Sequence, residues 1–125
     1  MITNALIALG ITEWVLRGTP STEAEFLTMF SKVTGADSNG TAIESTDPAD
    51  WGFNVADVFA KAAELEAAEP LRLLRAERDR KIAETDWWAS SDLTMTQEQS
   101  DYRQALRDIT NSYTSLEDVV WPVKP

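Results

Sequence analysis

The sequence predicts a small α+β fold that is mainly helical, with an N-terminal strand and hairpin region, two or three helices and an extended C-terminal tail. A polar, glycine-containing stretch over residues 31–50 surrounds Asn39-Gly40, which is a strong hairpin signal. Apolar residues recur at helical spacing after Val55 and again after Tyr102. Two prolines among the last four residues disfavour regular structure at that end of the chain.

The N-terminal region contains three short elements in front of the hairpin. Residues 3–9 predict a helix that ends at Gly10, because glycine readily adopts the left-handed conformation found after helices. Residues 13–17 predict a short strand. The segment Thr22-Glu-Ala-Glu25 has the capping-box pattern, which predicts the start of a second helix.

The helical region opens at Asn54, after which apolar residues fall on one helix face. Pro70 has no amide donor and its ring clashes with the preceding turn. We therefore expect two helices, or one sharply bent helix, over residues 54–69 and 70–84. The chain then divides into a small α+β region, residues 1–53, and a helical region, residues 54–125, which are two domains or pack as one.

The last helix is predicted from a second capping box. Thr96 and Gln99 open the segment QEQSDYRQALRDI, in which Tyr102, Leu106 and Ile109 share one narrow apolar face. The remaining segment, NSYTSLEDVVWPVKP, is expected to be extended. If Leu106 is as buried as this pattern indicates, its replacement by alanine should cost about 2–5 kcal/mol of stability.

The charge balance and the missing residue types exclude several functions. Aspartate and glutamate outnumber lysine and arginine 21 to 11, giving a net charge of -10, which disfavours both nucleic acid and anionic membranes as partners. The chain has no cysteine and no histidine, so Cys/His metal sites, thiol nucleophiles and Ser-His-Asp triads are excluded. We expect no catalytic residues, no metal and no cofactor. The segment from Asp37 to Glu44 fits a turn better than a calcium loop.

The first eleven residues are apolar but too short to span a bilayer and lack a cationic leader, so we expect a soluble protein. A basic run over residues 72–81 also contains Glu77 and Asp79. It is expected to pair with this protein's own acids or with an acidic partner rather than with nucleic acid.

The pair Trp87-Trp88 is the most informative aromatic feature, since two adjacent side chains of a regular element cannot both face one core. One tryptophan is expected to hold the loop against the helices while the other is an exposed binding residue; the alternative is that both pack inside a bent loop. On the binding hypothesis, Trp88→Ala should weaken partner binding and leave the fold intact. Arg103 and Arg107 either contact a partner or pair with nearby acids.

The second half of the sequence resembles the phage tail assembly chaperone family over about residues 71–125. The shared pattern is an arginine-rich helix, then T-D-W with a nearby aspartate, a T-x-E-Q helix start, Y-R-Q-x-L-R-D and a closing W-P. The matching positions here are Arg75, Arg78, Asp79, Thr85, Asp86, Trp87, Asp92, Thr96, Glu98, Gln99, Tyr102, Arg103, Gln104, Leu106, Arg107, Asp108, Trp121 and Pro122. The segments ALGITEWVLRG and AIESTDP are similar to the leading parts of small tail-fibre-associated proteins of cyanobacterial phages.

The resemblance implies a non-enzymatic chaperone that binds a tail-fibre or other tail polypeptide in the host cytoplasm during assembly. The alternative is a structural component of the tail, baseplate or fibre attachment that stays in the virion. A homo-oligomer is left open. The residues expected to contact the partner are Trp87, Trp88, Tyr102, Arg103, Arg107, Trp121 and Pro122.

Overall fold

The computed structural model describes all residues from Met1 to Pro125 and confirms the α+β, mainly helical class. Contacts divide the chain into two units, Met1–Ala67 and Ala68–Pro125. Three short 3-10 helices lie at Pro48–Asp50, Asp86–Ala89 and Ile109–Asn111. The helices and strands, in chain order, are α1 (Ile2–Ala8), β1 (Trp14–Leu16), α2 (Glu23–Met29), β2 (Phe30–Ala36), β3 (Ala42–Ser45), α3 (Val55–Ala83) and α4 (Gln97–Arg107).

The predicted hairpin is confirmed as β2 and β3, which pair antiparallel, while β1 pairs antiparallel with the other edge of β2. The Asp37 side chain shapes the turn, because its Oδ1 accepts hydrogen bonds from the amides of Asn39 and Thr41 at 2.8 and 3.0 Å. The aspartate that looked like a weak calcium ligand therefore belongs to the turn. Across the sheet, Arg17 and Glu44 form an exposed ion pair at 2.9 Å.

The two predicted short helices of this unit are also confirmed. Helix α1 is followed by Gly10 with φ of 72°, the left-handed conformation expected after a helix. At the start of α2, the Thr22 hydroxyl accepts a hydrogen bond from the Glu25 amide, as the capping pattern predicted. The Glu25 carboxylate in turn accepts from the amide of Ser21, one residue earlier than the standard capping box.

An aromatic cluster forms the core of unit Met1–Ala67. Phe26 and Phe30 stack with ring centroids 4.8 Å apart, and Trp51 meets Phe30 edge-on at 4.8 Å. Gly52 adopts a left-handed φ of 77°, which brings the rings on either side of it, Trp51 and Phe53, into one stack. The first half of α3 closes this core with two buried side chains, Val58 and Ala62.

Helix α3 continues through Pro70 as one helix, so the alternative of two separate helices is wrong. A proline inside a helix leaves the carbonyl four residues earlier without its usual donor. That carbonyl belongs to Glu66, and both Glu66 and Pro70 are exposed, so water can satisfy the freed acceptor. The remaining hydrogen bonds and the packing of both halves of the helix outweigh the loss.

The unit Ala68–Pro125 combines the second half of α3, the 3-10 helix Asp86–Ala89, helix α4 and the C-terminal segment. The predicted capping box is present, since the Thr96 hydroxyl accepts from the Gln99 amide and the Gln99 side chain accepts from the Thr96 amide. Helix α4 buries Tyr102 and Leu106 against Trp88. Residues 119–125 have no regular secondary structure, as expected for the tail. Residues 111–118, which were also expected to be extended, instead form the end of a 3-10 helix followed by bends and a turn.

We predict that Leu106→Ala lowers the free energy of unfolding by about 2–5 kcal/mol, because the substitution leaves a cavity in a fully buried site. Chemical denaturation followed by circular dichroism measures the change. The matched control is Leu73→Ala on helix α3, where the side chain is exposed, and its cost should be about 1 kcal/mol or less. Equal costs for both variants would contradict the assignment of Leu106 to the core.

Candidate functional site

A buried arginine organises the segment that follows helix α3. The Arg103 Nη1 donates to the Thr85 hydroxyl at 2.7 Å and to the Ile82 carbonyl at 3.1 Å, while its Nη2 donates to Asp86 Oδ1 at 3.1 Å. The Ile82 carbonyl is among the last of α3, and it also accepts from the amide and the hydroxyl of Thr85, each at 3.0 Å. The guanidinium of α4 therefore closes the end of α3 and fixes the turn that leaves it.

The burial of these groups indicates which hydrogen bonds of Arg103 stabilise the folded state most. Arg103 is only 7% exposed and Thr85 is fully buried, so their hydrogen bond is shielded from water. The Asp86 side chain is 64% exposed, and solvent screens its attraction to the guanidinium. The neutral acceptors of Thr85 and Ile82 therefore hold Arg103 more than the ion pair does, since a buried guanidinium without acceptors is costly.

The same turn separates the two tryptophans. Residues Asp86–Ala89 form a 3-10 helix, in which three residues complete a turn, so neighbouring side chains point about 120° apart. Trp88 is 4% exposed and packs against Tyr102 with ring centroids 6.0 Å apart. Trp87 is 63% exposed and meets Trp88 edge-on at 6.1 Å. One tryptophan thus belongs to the core while the other faces outward, the first of the two sequence-based alternatives.

The C-terminal tail, defined here as residues 119–125, lies against this core. Trp121 is half-buried and packs against the cluster of Trp88, Tyr102 and Leu106. The Lys81 Nζ lies 5.0 Å from the centroid of the Trp121 ring, and the Lys124 Nζ lies 5.9 Å from the centroid of the Trp88 ring. Both distances are within the range of cation–π attraction, so the tail is held by side-chain contacts at two of its residues.

The structure distributes the predicted partner-contact residues among three environments. Trp87 and Arg107 are exposed, and the Arg107 Nη1 lies 3.4 Å from the side-chain oxygen of Gln104. Trp121 and Pro122 are half-buried in the tail. Trp88, Tyr102 and Arg103 are buried.

Burial corrects part of the sequence analysis. The expectation that Trp88→Ala leaves the fold intact is wrong, because this ring fills the core beside Tyr102. Arg103 pairs with Thr85 and Asp86 rather than with the acids on its own helix that the sequence nominated. Sequence spacing could not reveal the Arg103 contacts, because Thr85 and Asp86 lie 18 and 17 residues earlier in the chain.

Four of the five cations in the basic run pair with acids of α3 or with Glu84 just after it, the first of the two kinds of partner that the sequence analysis left open. Arg72 pairs with Glu69, and Arg80 pairs with both Glu77 and Glu84. The hydrogen bonds from Arg72 and Arg80 hold the pKa values of Glu69 and Glu77 below the usual range. These shifts keep the acids charged, so the run is a solvated, self-paired face.

Two further findings concern the whole chain. Nowhere do three or more acidic side chains gather closely enough to hold a metal ion. None of the helices combines the length and the apolar composition that crossing a membrane requires.

Comparison with known protein families gives a match within the second unit. Residues 71–125 match the profile of a family described as phage tail assembly chaperone protein, which confirms the resemblance drawn from the sequence. No curated protein and no solved structure matches the chain. The matched stretch contains the Arg103 network, Trp87, Trp88 and the tail. The family's description indicates a general role in phage tail assembly.

We predict that Arg103→Lys lowers the stability of the protein by about 1–3 kcal/mol. A lysine has one ammonium in place of the planar guanidinium and cannot reach Thr85, Ile82 and Asp86 together. The matched control is Arg107→Lys, one turn further along α4 and exposed, which should change stability by about 0.5 kcal/mol or less. Thermal and chemical denaturation measure the stability of both variants. An Arg103→Lys variant as stable as the wild type would contradict a structural role for these hydrogen bonds.

We also predict that Tyr102 makes the protein less stable at alkaline pH. Burial, and secondly the charge of Glu84, raise the pKa of the Tyr102 hydroxyl above its ordinary value of about 10. The folded state therefore keeps the proton more tightly, and the stabilisation present below pH 10 is lost as pH rises through the folded pKa. Tyr102→Phe should flatten the decline in unfolding free energy between neutral and alkaline pH. Identical slopes for the variant and the wild type would contradict this role.

Proposed function

We propose that this protein is a non-enzymatic assembly chaperone of a tailed bacteriophage that binds a tail polypeptide, a fibre subunit in the first instance, through the exposed Trp87. The supporting observation is a large aromatic ring, 63% exposed, on the unit that matches the chaperone family. Its site of action is the host cytoplasm during assembly.

The surroundings of Trp87 suit it for tight binding. Tryptophan and arginine are the residues that most often dominate binding energy at protein interfaces. Trp87 lies in a turn that the Arg103 hydrogen bonds fix on one side and the buried Trp88 fixes on the other. A ring held in place before binding loses little conformational freedom when a partner covers it. Arg107, exposed one turn beyond Arg103, adds a second residue of the type found at such interfaces.

The charge of the chain supports a role in keeping a partner soluble. Unassembled fibre subunits expose unpaired strand edges and apolar surface, which aggregate readily. A bound chain with a net charge of -10 adds electrostatic repulsion between complexes. Binding through a small aromatic site, with the rest of the surface charged, would protect such a subunit until it assembles.

The second candidate, a permanent component of the virion tail, is separated by quantitative mass spectrometry of purified particles. The chaperone proposal predicts abundant protein in infected cells and none in mature virions. A fixed copy number that matches a tail component would replace the chaperone proposal with the structural one.

We predict that Trp87→Ala weakens binding to the cognate tail polypeptide by at least about 30-fold, the size of a hot-spot residue. Its stability should change little, because the ring is mostly in solvent. The measurements are co-expression solubility of the tail polypeptide and titration of the purified pair.

The matched control for this variant is Ile7→Ala, which removes an equally exposed apolar side chain from unit Met1–Ala67. It should leave binding unchanged. Loss of binding in Ile7→Ala with full binding in Trp87→Ala would place the site in the N-terminal unit instead.

A further inference from the structure

The tail presents its side chains to different surroundings. Trp121 packs on the core and Lys124 lies over the Trp88 ring. Pro122, Val123 and Pro125 border a groove against helix α4, while Val120 is 69% exposed. The two contacts with the core, three residues apart, have the spacing of a polyproline II segment, which two prolines three residues apart favour.

The groove beside the tail combines an aromatic wall with acidic side chains. It has a volume of about 410 Å³ and is lined on the α4 side by Glu98, Asp101, Tyr102 and Ala105. These positions are three or four residues apart and therefore form one stripe along the helix. Aromatic-lined grooves are the common binding sites for polyproline II segments, and the two carboxylates complement a basic residue.

The tail that occupies this surface is weakly tethered. From Thr114 to Pro125 the chain makes no backbone hydrogen bond with the rest of the protein, and the Trp121 and Lys124 contacts described above hold it in place. The groove also retains unfilled volume alongside Pro122 and Pro125. The tail can therefore leave without breaking any element of secondary structure, and its departure would uncover Trp88 and Tyr102 next to the exposed Trp87.

We propose that Trp88 together with the adjoining groove of Tyr102, Glu98 and Asp101 binds an extended, proline-containing segment with an aromatic residue and a lysine or arginine three positions later. In the free state the protein's own tail covers this surface and forms one wall of the groove. A segment of the tail polypeptide with the same chemistry replaces it in the complex. This inference rests on the proposed function for the identity of the partner, and it enlarges the Trp87 site.

The strength of the competition between the tail and a free peptide depends on the covalent attachment of the tail. A short segment links the tail to the end of α4, so the tail is present at its own groove at an effective concentration in the millimolar range. A free peptide at micromolar concentration cannot displace it. Loosening the tail should therefore increase the apparent affinity of the groove for a free peptide by at least about tenfold.

The test uses the full chain and a fluorescent synthetic peptide with the sequence of residues 119–125. We expect weak binding to the wild type and at least about tenfold tighter binding to Trp121→Ala and to Lys124→Glu, measured by anisotropy. The matched control is Val120→Glu, which adds a negative charge to the same tail at an outward position and should behave as the wild type. A peptide with alanine in place of its tryptophan should not bind.

Lys124→Glu keeps the proposal testable if Trp121→Ala proves unstable, because replacing the exposed Lys124 removes no side chain from the core. No binding to a variant that retains its helical circular dichroism would overturn the proposal, as would equal binding to the wild type and both tail variants. Sedimentation of the wild type adds a further outcome. A dimer that the peptide dissociates would make a second copy of the chain the occupant and overturn the partner version. The test contains no tail polypeptide, so its failure leaves the Trp87 proposal standing.

Discussion

The hydrogen bonds of the Arg103 guanidinium to Thr85 and Ile82 are the interaction on which the C-terminal unit depends. They join helix α4 to the end of helix α3 and give the buried guanidinium two acceptors. These acceptors are themselves linked, since the Thr85 amide and hydroxyl also donate to the Ile82 carbonyl. Because these hydrogen bonds fix the turn, they also fix the directions in which the side chains of Trp87 and Trp88 point. Trp88 enters the core and Trp87 remains in solvent. A structural constraint thus creates the candidate binding residue.

The N-terminal unit is stabilised differently. Its core is a set of aromatic rings contributed by α2, the start of β2 and the segment before α3, with no buried ion pair. The aromatic pairs include stacked and edge-on arrangements, both favourable geometries for rings. The family match over residues 71–125 does not extend to this unit, and its structure nominates no residue for the proposed function. The functional argument therefore rests on the second unit alone.

Local signals in the sequence predicted most elements, while contacts across the chain were out of reach. Gly10, the Asn39-Gly40 turn and the Thr96 cap act through their immediate neighbours, so their patterns were sufficient. The sequence around Pro70 could not decide between one helix and two, because the cost of the proline depends on whether the freed carbonyl reaches water. The role of Arg103 was missed because Thr85 comes from another element. The division of labour between Trp87 and Trp88 required the geometry of the 3-10 turn, which the sequence did not predict.

The most direct test of this account is hydrogen–deuterium exchange of the full chain, free and in complex with its co-expressed tail polypeptide. The amides of Trp88, Ser90 and Leu93 are hydrogen-bonded within the turn that presents Trp87, so a bound partner should slow their exchange. The account predicts new protection over residues 86–95 with residues 1–67 unchanged. Protection confined to residues 1–67, with the Trp87 turn exchanging as in the free protein, would contradict it.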